Sequence, residues 1–418
     1  MGSQDRDRAN LTALGHLTGS EPQLVDVAPA GEVVLGMTTH TILTSGAPLD
    51  WEAYEGGQRR AVLFGAVYEG IAADPEEAEA MIRRGEIQVR STQELNCIGS
   101  VAGILTASMP VFVVRDETSG AVGFCNLYEG EDPHRLCYGS YNRGVADRLD
   151  WLRDVMAPVL SEAIHRRGPL PLKGLMARAL RMGDELHSRN TAATMLLTTE
   201  LMPSFLDMMG SSSSPSQLLE VIDFLRRNEY SFLRVGMAAA KATADSAHGV
   251  EGSSLVTAMA INSREFAIRV SGLGDTWFRG MHPELEGKFF DGFDQDDAEW
   301  IGGESCVTEV VGLGGFAQAC APTLQAYQGG TFEAMRRSNE SMYAITVGEH
   351  PDFRIPVLEF RGTPVGIDIF AVVQSGITPV IDGGLAGKDG GQIGAGVLRP
   401  HLDVFELATK AYVERYGS

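Results

Sequence analysis

The spacing of apolar positions changes twice along the chain and divides it into three predicted segments. Residues 1–144 show short β-rich runs between Gly, Asp and Pro breaks, residues 145–247 show apolar positions three and four apart, and residues 248–418 return to strand-like runs between glycine-rich turns. Short runs predict strands, and the three- and four-residue spacing predicts helices. The pattern therefore predicts a mixed α/β (α+β), multidomain fold, with two α/β domains and a helical domain between them.

Turn and capping residues define several of these elements more closely. PVFVVRDETSGAVGFCNLYEG predicts a hairpin, and DPEEAEAMIRRG predicts a helix with Asp74 as its N-cap and Gly85 as its stop. We expect residues 210–216, GSSSSPS, to form a surface loop between helices. In the third segment SSLVTAMAIN predicts a helix capped by Ser253 or Ser254. The predicted strands there are REFAIRVSG, CVTEVVG, IPVLEF, GIDIFAVV and ITPVIDGG, and the closing helix is HLDVFELATKAYVERYG.

Charge and cysteine content narrow the classes of partner. The 55 acidic and 34 basic side chains give a formal net charge of -21, a field that repels nucleic acid and anionic membranes. We therefore expect neither as a partner, and an anionic substrate would need local arginines or helix N-termini. The five cysteines contain no CxxC pair and fit neither a disulfide framework nor a zinc site. The charged stretch MGSQDRDRANLTALGH is unlike a signal peptide. We expect a cytoplasmic protein without a metal or cofactor.

The stretch HGVEGSSLVTAM concentrates polar groups at a predicted helix start. His248 and Glu251 stand beside Ser253 and Ser254, so a proton-transfer group would lie next to free backbone N–H groups that favour an anion. The alternative is an ordinary junction between helices whose histidine bonds a backbone carbonyl. The anion-binding candidates in the neighbouring elements are Lys241 and Arg269.

A second polar group lies in RMGDELHSRN. Asp184 precedes His187 by three residues, so on a helix the carboxylate could orient the imidazole. Arg189 would then bind a carboxylate or phosphate, with Asn190 beside it. We expect this group to face a cleft between domains. A structural hydrogen-bond network is the alternative.

The glycine-rich stretch TEVVGLGGFAQACAP has GxGxxA spacing through Gly312, Gly314 and Ala317. Pro322 falls early in the helix that a dinucleotide site would need, so that function is disfavoured. Two interpretations remain. The turn, which includes Gly315, could bind another anion through its backbone amides, or it could be purely structural. We predict that residues 312–315 share one pocket with the His248 stretch.

Two arginines beside turns, Arg354 in DFRIP and Arg361 in FRGTPVGID, are candidates for binding a carboxylate or phosphoryl group. For either one, a surface ion pair is the alternative. Residues 383–396 form a glycine-rich segment that could approach a ligand or a neighbouring subunit closely. That segment lacks the Lys-Ser/Thr end of a phosphate-binding P-loop.

Many of these segments, in this order, resemble the YlbE-like family, which includes the AllG subunit of bacterial oxamate carbamoyltransferase. The resemblance runs from about Val25 to the C-terminus. It rests on AVLFGAVYEGIA, SMPVFVVRDETSG, YGSYNRGVADRLDWLRDVMAPVL, MGDELHSRNTAAT, MAAAKATADSAHGVEGSSLVTAMAINSREFAIRVSGLGDTWF, TEVVGLGGFAQACAP, EHPDFRIPVLEFRGTPVGID and GQIGAGVLRPHLDVFE. The S-T-R-T and H-P-x-Q motifs of aspartate- and ornithine-type carbamoyltransferases are absent, since the chain offers only RSTQE and EHPDF.

The resemblance implies a transferase that works as part of a complex in allantoin nitrogen catabolism. It implies an FdrA-like subunit and a third carbamoyltransferase subunit as partners, and it leaves open whether the chain also forms a homo-oligomer. The implied reaction converts oxalurate, a small anionic ureido acid, and phosphate, which accepts the carbamoyl group, into oxamate and carbamoyl phosphate. Two alternatives stay open: a non-catalytic scaffold subunit of that complex, and transfer on a different ureido acid.

Overall fold

Strands and short helices alternate through the first segment, in agreement with its apolar pattern. The computed structural model describes residues 3–211 and 215–417. The predicted helix is present: the Asp74 side chain accepts a hydrogen bond from the N–H of Glu77, and Gly85 follows the helix end at φ +74°. The elements are α1 (Ser3–Gly19), β1 (Pro22–Pro29), α2 (Ala30–Val33), β2 (Thr41–Thr44), α3 (Gly56–Tyr68), α4 (Pro75–Arg83), β3 (Gln88–Ser91), β4 (Cys97–Ile98), β5 (Pro110–Asp116) and β6 (Val122–Asn126).

Helices fill the second segment, as the spacing of its apolar residues predicts. A π-helical turn, Leu152–Met156, joins the first two of them. Residues 212–214 of the predicted surface loop lie outside the described residues. The elements are α5 (Arg143–Trp151), α6 (Ala157–Arg167), β7 (Leu170–Pro171), α7 (Lys173–Arg181), α8 (Thr191–Ser211), α9 (Pro215–Arg227) and α10 (Ser231–Ser246).

The predicted hairpin forms the middle of a five-stranded sheet with the order β4-β6-β5-β1-β7. β5 and β6 pair antiparallel, with Val113 opposite Phe124. α10 packs across these two strands. Gly123 makes the contact close, because a Cβ atom there would lie 2.1 Å from the carbonyl oxygen of Ala238 in α10. The sheet thereby supports α10, whose residues Leu233 and Arg234 line the cavity described below.

The third segment contains three more sheets, ordered β10-β9-β8, β11-β16-β15-β12 and β13-β14, while β2 pairs with β3 in the first segment. The closing helix is present as predicted. The elements are β8 (Val256–Ile261), β9 (Phe266–Val270), β10 (Trp277–Gly280), β11 (Glu284–Phe289), β12 (Ala298–Glu299), α11 (Val307–Val310), α12 (Leu324–Gln328), α13 (Phe332–Ser341), β13 (Thr346–Ile355), β14 (Arg361–Ile367), α14 (Ile369–Ser375), β15 (Ile381–Gly387), β16 (Gln392–Arg399) and α15 (Leu402–Tyr416).

Four predicted elements of this segment are wrong. The helix predicted for SSLVTAMAIN is the strand β8, CVTEVVG contains the helix α11 rather than a strand, and IPVLEF continues from β13 into a 3₁₀ turn. The strand predicted for GIDIFAVV contains only the end of β14, and its larger part is the helix α14, which Asp368 caps by accepting the N–H of Phe370. Every residue of β8 and of α11 is buried. An element that is buried on all sides has no exposed face, so its sequence shows no regular alternation of apolar and polar positions that would separate strand from helix.

The three segments interlock. α1 of the first segment packs on β13 and β14 of the third, and β7 of the second extends the sheet of the first. Buried apolar side chains from all three join in one core. The mixed α/β class is confirmed, and the division into domains at residues 144 and 247 stays a prediction. Within the described part of the chain, no helix combines the length and apolar character that crossing a bilayer requires.

Candidate functional site

A cavity of about 370 Å³ lies where the three segments meet. The first segment contributes Ser100, Val101, Tyr128, Arg135 and Tyr138, and the second contributes His187, Ser188 and the start of α10. The third contributes β15, several residues between 283 and 306, and individual residues of α12 and β16. Its volume falls in the range typical of small-molecule sites. The polar side chains in its wall are Ser100, Tyr128, Arg135, Tyr138, His187, Ser188, Tyr230, Arg234, Gln295, Glu299, Ser305, Tyr327, Asp382 and Gln392.

Two buried arginines in this wall have no carboxylate partner. Arg135 is 7% exposed and Arg234 is 3% exposed, and neither forms an ion pair with a described residue. Arg135 Nη1 donates to the carbonyl oxygen of Gly130 at 2.9 Å, and Arg234 Nη1 donates to Asn126 Oδ1 at 3.2 Å. The Nε of each is buried without a hydrogen bond among the described residues. Arg135 also lies over the rings of Tyr138, at 4.5 Å, and Tyr128, at 5.8 Å. Burying a guanidinium group without a carboxylate partner is costly, so these two side chains are candidates for binding an anion.

A histidine and a carboxylate form a buried pair at the same cavity. His187 Nδ1 lies 2.8 Å from Glu309 Oε1, and the two side chains are 5% and 0% exposed. Because the carboxylate accepts the Nδ1 proton, Nε2 is the nitrogen left for another partner. Burial by itself would lower the pKa of His187, but the negative charge of Glu309 raises it above the usual histidine value. This arrangement suits an imidazole that carries a proton to or from a bound molecule.

The turn that holds His187 is strained and tightly bonded. Leu186, which is buried, has a φ of +71°, a region that costs an L-residue about 1–2 kcal/mol. The Glu185 carboxylate accepts hydrogen bonds from the backbone N–H groups of His187, Ser188 and Arg189. Gly314 donates its N–H to the Glu185 carbonyl oxygen at 2.8 Å. These bonds keep the imidazole in place despite the local strain.

Asp382 brings a further buried carboxylate to the cavity. Its Oδ1 accepts hydrogen bonds from the amide groups of Gln318 and, at 3.0 Å, Gln328. Burial, and after it the negative charge of Glu309, raise the pKa of Asp382 to about 6. Burial also raises the pKa of Glu185 well above its usual range, and the charge of Asp382 adds to this. Like charges this deeply buried do not all ionise together, so the group retains a proton near neutral pH. No group of His, Cys, Asp or Glu in the described ranges is arranged to hold a metal ion.

The predicted pairing of Asp184 with His187 is wrong. α7 ends at Arg181, and Gly183 at φ +102° leads into a loop, so the two side chains share no helix face. Asp184 Oδ2 instead accepts the N–H of Ala193 at 2.8 Å, and its Oδ1 lies 3.6 Å from Arg189 Nε. Burial raises the pKa of Asp184 to about 6. Arg189 and Asn190 line a neighbouring cavity of about 180 Å³ that shares Ser188, Tyr230 and Tyr327 with the first.

The glycine-rich turn contacts a carboxylate of the protein itself, that of Glu309. Gly315 donates its N–H to Glu309 Oε1 at 2.9 Å, and a Cβ atom on Gly314 would lie 2.1 Å from that same oxygen. Gly312, at φ +84°, packs against the backbone of Pro364. The turn follows α11 and leads into 3₁₀ turns, so the strand and helix that a dinucleotide site requires are absent from it.

The residues of the His248 stretch do not line the 370 Å³ cavity. Ser253 and Ser254 are fully buried and bond to Asn10 of α1, while Glu251 is exposed. His248 Nδ1 lies 2.8 Å from Thr257 Oγ1, and burial lowers the pKa of His248 to about 4. Residues 312–315 also lie outside this cavity, so the structure does not join the two stretches there.

The remaining candidate cations already have protein partners. Lys241 and Arg269 both pair with Asp245, in the second case at 2.8 Å. Arg354 donates to the carbonyl oxygens of Pro351 and Phe360, and Arg361 pairs with Glu349 at 2.7 Å and stacks on Tyr343. Arg354 and Arg361 are exposed and lie outside the cavity.

The sequence analysis missed four residues of the site: Arg135, Arg234, Glu309 and Asp382. Three of them share a recognisable signal. Each is a single charge inside an apolar run, namely SFLRVGM, CVTEVVG and ITPVIDGG. Because a charge inside a buried element is expensive, such a residue needs a partner or a function. Arg135 lies in the irregular stretch EDPHRLCYG, which carries no such signal.

Over nearly its whole length the chain is similar to proteins of one family. The family model described as oxamate carbamoyltransferase subunit AllG matches residues 87–305. Oxamate carbamoyltransferase subunit AllG of Escherichia coli K12 is 37% identical over 416 residues, which are 98% of each chain. Uncharacterized protein YahG of the same organism is 41% identical over 411 residues, 98% of this chain and 86% of that protein. A crystal structure of a conserved protein of unknown function from Enterococcus faecalis V583 superposes with a TM-score of 0.94 at 38% identity, covering 98% of both chains.

Proposed function

Because the chain belongs to the family of the oxamate carbamoyltransferase subunit AllG, we propose that it provides the substrate site of a carbamoyltransferase complex. The reaction we assign to it converts oxalurate and phosphate into oxamate and carbamoyl phosphate. The partners are an FdrA-like subunit and a third carbamoyltransferase subunit, and the pathway is allantoin nitrogen catabolism. The observation that carries the proposal is the cavity in which two buried, unpaired arginines accompany the His187–Glu309 pair.

The charges of the cavity match the two substrates. Oxalurate carries a carboxylate and phosphate is an anion, and guanidinium groups bind both through paired N–H donors. Arg135 and Arg234 each donate from Nη1 to neutral oxygens, and no carboxylate of the described residues pairs with either guanidinium group. In a chain with a net charge of -21, these two side chains provide the local positive charge that an anion needs.

The proton balance of the reaction gives His187 its role. A phosphate oxygen bonds to the carbamoyl carbon, and the bond from that carbon to the oxamate nitrogen breaks. The proton that phosphate gives up must reach the departing nitrogen. His187 Nε2 takes up and returns this proton, while Glu309 stabilises the imidazolium that forms in between. Negative charge that grows on the carbamoyl oxygen is stabilised by the neighbouring arginine N–H groups.

The test replaces Arg234, whose buried charge lowers the stability of the folded chain. We expect Arg234→Met, in a complex made by co-expressing the chain with both partner subunits, to lower kcat/KM for carbamoyl phosphate formation about 100-fold. The free energy of unfolding of the variant chain should stay level or rise, because an unpaired buried charge is replaced by an apolar side chain of similar length. A residue that only supported the fold would lose stability and activity together.

Two controls complete this experiment. Arg143→Met removes an arginine that is 89% exposed and pairs with Asp147, and it should leave turnover unchanged. The wild-type chain alone should release almost no carbamoyl phosphate, because the resembled enzyme is an assembly. Wild-type turnover by a complex that contains Arg234→Met would refute the substrate-site role and favour a scaffold subunit.

A further inference from the structure

The turn from Gly99 to Gly103 brings a strained piece of backbone into the wall of the 370 Å³ cavity. Ser100 and Val101 both line the cavity, and Ser100 is buried. The N–H of Gly103 donates to the carbonyl oxygen of Ser100 at 3.0 Å and closes the turn. Val101, at the first inner position, has a φ of +56°. A β-branched residue rarely adopts this conformation, and strained backbone of this kind concentrates at functional sites.

The backbone of this turn leaves two neighbouring N–H groups without a hydrogen-bond partner among the described residues, those of Ser100 and Val101. Every other polar backbone group from the N–H of Gly99 to the carbonyl oxygen of Ala102 is bonded within the protein. The partners of those groups are Thr44, Ser45, Gly103, Cys137 and Glu304. Backbone N–H groups away from the surface are nearly always paired, with the protein, with water or with a ligand. The two that remain here are therefore available to a molecule in the cavity.

Gly303 keeps the N–H of Val101 uncovered. Gly303 lies in the same cavity wall, at a φ of +143°. The atom nearest to a Cβ placed on Gly303 would be the nitrogen of Val101, at 3.3 Å. A side chain at this position would therefore cover the N–H group, whereas glycine leaves the space beside it open.

The two N–H groups are held in position by the protein itself. Glu304, which follows Gly303, is fully buried, and its carboxylate accepts the N–H of Gly99 at 2.9 Å. Thr92 Oγ1 and Gln93 Nε2 donate to the same carboxylate at 2.6 and 2.9 Å. Glu304 thus fixes the start of the turn against the third segment. Donors fixed in this way need no reorganisation when negative charge develops beside them.

We propose that the N–H groups of Ser100 and Val101 form an oxyanion hole, which binds the carbamoyl oxygen in the transition state of the transfer. The inference rests on the proposed function and adds catalytic groups to it. When a phosphate oxygen bonds to the carbamoyl carbon, an electron pair of the C=O bond moves onto the carbamoyl oxygen. The pair returns to that bond as the bond from carbon to the oxamate nitrogen breaks. The two N–H groups stabilise the charge in between, together with the guanidinium groups that bind the anionic substrates.

The first test covers the Val101 N–H with a methyl group. In the complex with both partner subunits, Gly303→Ala should lower kcat for carbamoyl phosphate formation about 100-fold. The KM values for oxalurate and phosphate should change less than about threefold, because the lost interaction is made in the transition state. Gly292→Ala adds a methyl group at another positive φ, +91°, where no atom lies within 4 Å, and should keep the kcat of the wild type.

A second measurement decides the question even if Gly303→Ala does not assemble. The full-length chain is produced with isotope-labelled valine, and the amide signal of Val101 is identified by its loss in Val101→Ala. Carbamoyl phosphate carries the carbamoyl oxygen, so its addition to the wild type should move the Val101 amide proton signal downfield, as a new hydrogen bond requires. Inorganic phosphate lacks that oxygen and should leave the signal in place.

The outcomes separate this inference from the proposed function. If Gly303→Ala keeps the kcat of Gly292→Ala while Arg234→Met loses turnover, the oxyanion hole is refuted and the substrate site stands. If Arg234→Met also turns over like the wild type, the substrate site fails, and this inference fails with it. An equal Val101 shift with both probes, or no shift with either, also refutes the oxyanion hole. A loss confined to kcat and a Val101 shift with carbamoyl phosphate alone support it.

Discussion

His187 depends for its protonation on Glu309, which lies 122 positions further along the chain. The pKa of His187 is raised in the folded protein, so its protonation stabilises the fold fully at pH below about 6.5. That contribution disappears as the pH rises through the higher pKa of the folded state. The same interaction sets the pH at which His187 can deliver a proton.

Glu309→Gln should therefore lower the pKa of His187 below the usual histidine value, because burial then acts without the compensating charge. An NMR titration of the imidazole resonances measures this shift. We expect the low-pH limb of the activity profile, below which His187 is already protonated and cannot take up the proton of phosphate, to move to lower pH in the variant. Glu349→Gln, which removes the partner of Arg361 outside the cavity, is the control. An unshifted His187 titration in Glu309→Gln would contradict the pairing.

Gly314 is a single residue whose lack of a side chain makes the site possible. A methyl group there would lie 2.1 Å from Glu309 Oε1 and 3.0 Å from His187 Cβ, at a φ of +57°. Gly314→Ala should cost about 1–2 kcal/mol for the backbone conformation and about 1–3 kcal/mol more for the clash. It should also abolish most activity, because the clash displaces the carboxylate of the pair.

Gly376→Ala is the matched control for this change. Gly376 has a φ of +68° and no neighbouring atom within 4 Å of an added Cβ. The Gly376→Ala variant should lose only about 1–2 kcal/mol of unfolding free energy, measured by urea titration, and should keep its activity. Equal losses of stability and activity in the two variants would mean that the contact with Glu309 has no special effect.

At the scale of elements, the serines of the His248 stretch act in docking α1 onto the rest of the protein. Asn10 Oδ1 accepts the N–H of Ser254 at 2.8 Å, and Asn10 Nδ2 donates to Ser254 Oγ at 2.9 Å. Ser254 Oγ in turn donates to Asp368 Oδ1 at 2.8 Å. The whole network is buried, so each of its members needs its partner.

Asn10→Ala should accordingly lower the free energy of unfolding by about 1–3 kcal/mol, because it leaves buried polar groups of Ser254 without a partner. The KM values of the complex should not change, since the network lies outside the cavity. Urea unfolding followed by circular dichroism gives the stability, and Thr12→Ala on the exposed side of α1 is the control. A raised KM with unchanged stability would contradict this structural role and would indicate that Asn10 and the two serines contribute to substrate binding.

Elements could be predicted from the sequence wherever they have one buried face and clear end signals. α4 and the β5–β6 hairpin have such signals, in the Asp74 cap and in the polar turn between two apolar runs. β8 and α11 have neither, because both are buried on every side. Local pattern therefore identifies elements at the surface of the core better than elements inside it.

For the whole molecule, the site belongs to no single segment. Arg135 comes from the first, His187 and Arg234 from the second, and Glu309 and Asp382 from the third. Acidic side chains are in excess over the whole chain, while one cavity contains two guanidinium groups without a carboxylate partner among the described residues and a histidine whose pKa is raised. An anion is thus attracted only where these groups meet.

The sequence alone determined the α/β class, the helical middle, the ends of several elements and the family. Only the tertiary structure decided that Glu309 rather than Asp184 orients His187, that the glycine-rich turn surrounds Glu309, and that Arg135, Arg234 and Asp382 line one cavity. The physical reason is the range of the interactions involved. Helix periods, caps and turns depend on residues a few positions apart, which a sequence displays directly. A buried charge is satisfied by whatever group the fold brings to it, and here that group lies more than a hundred positions away.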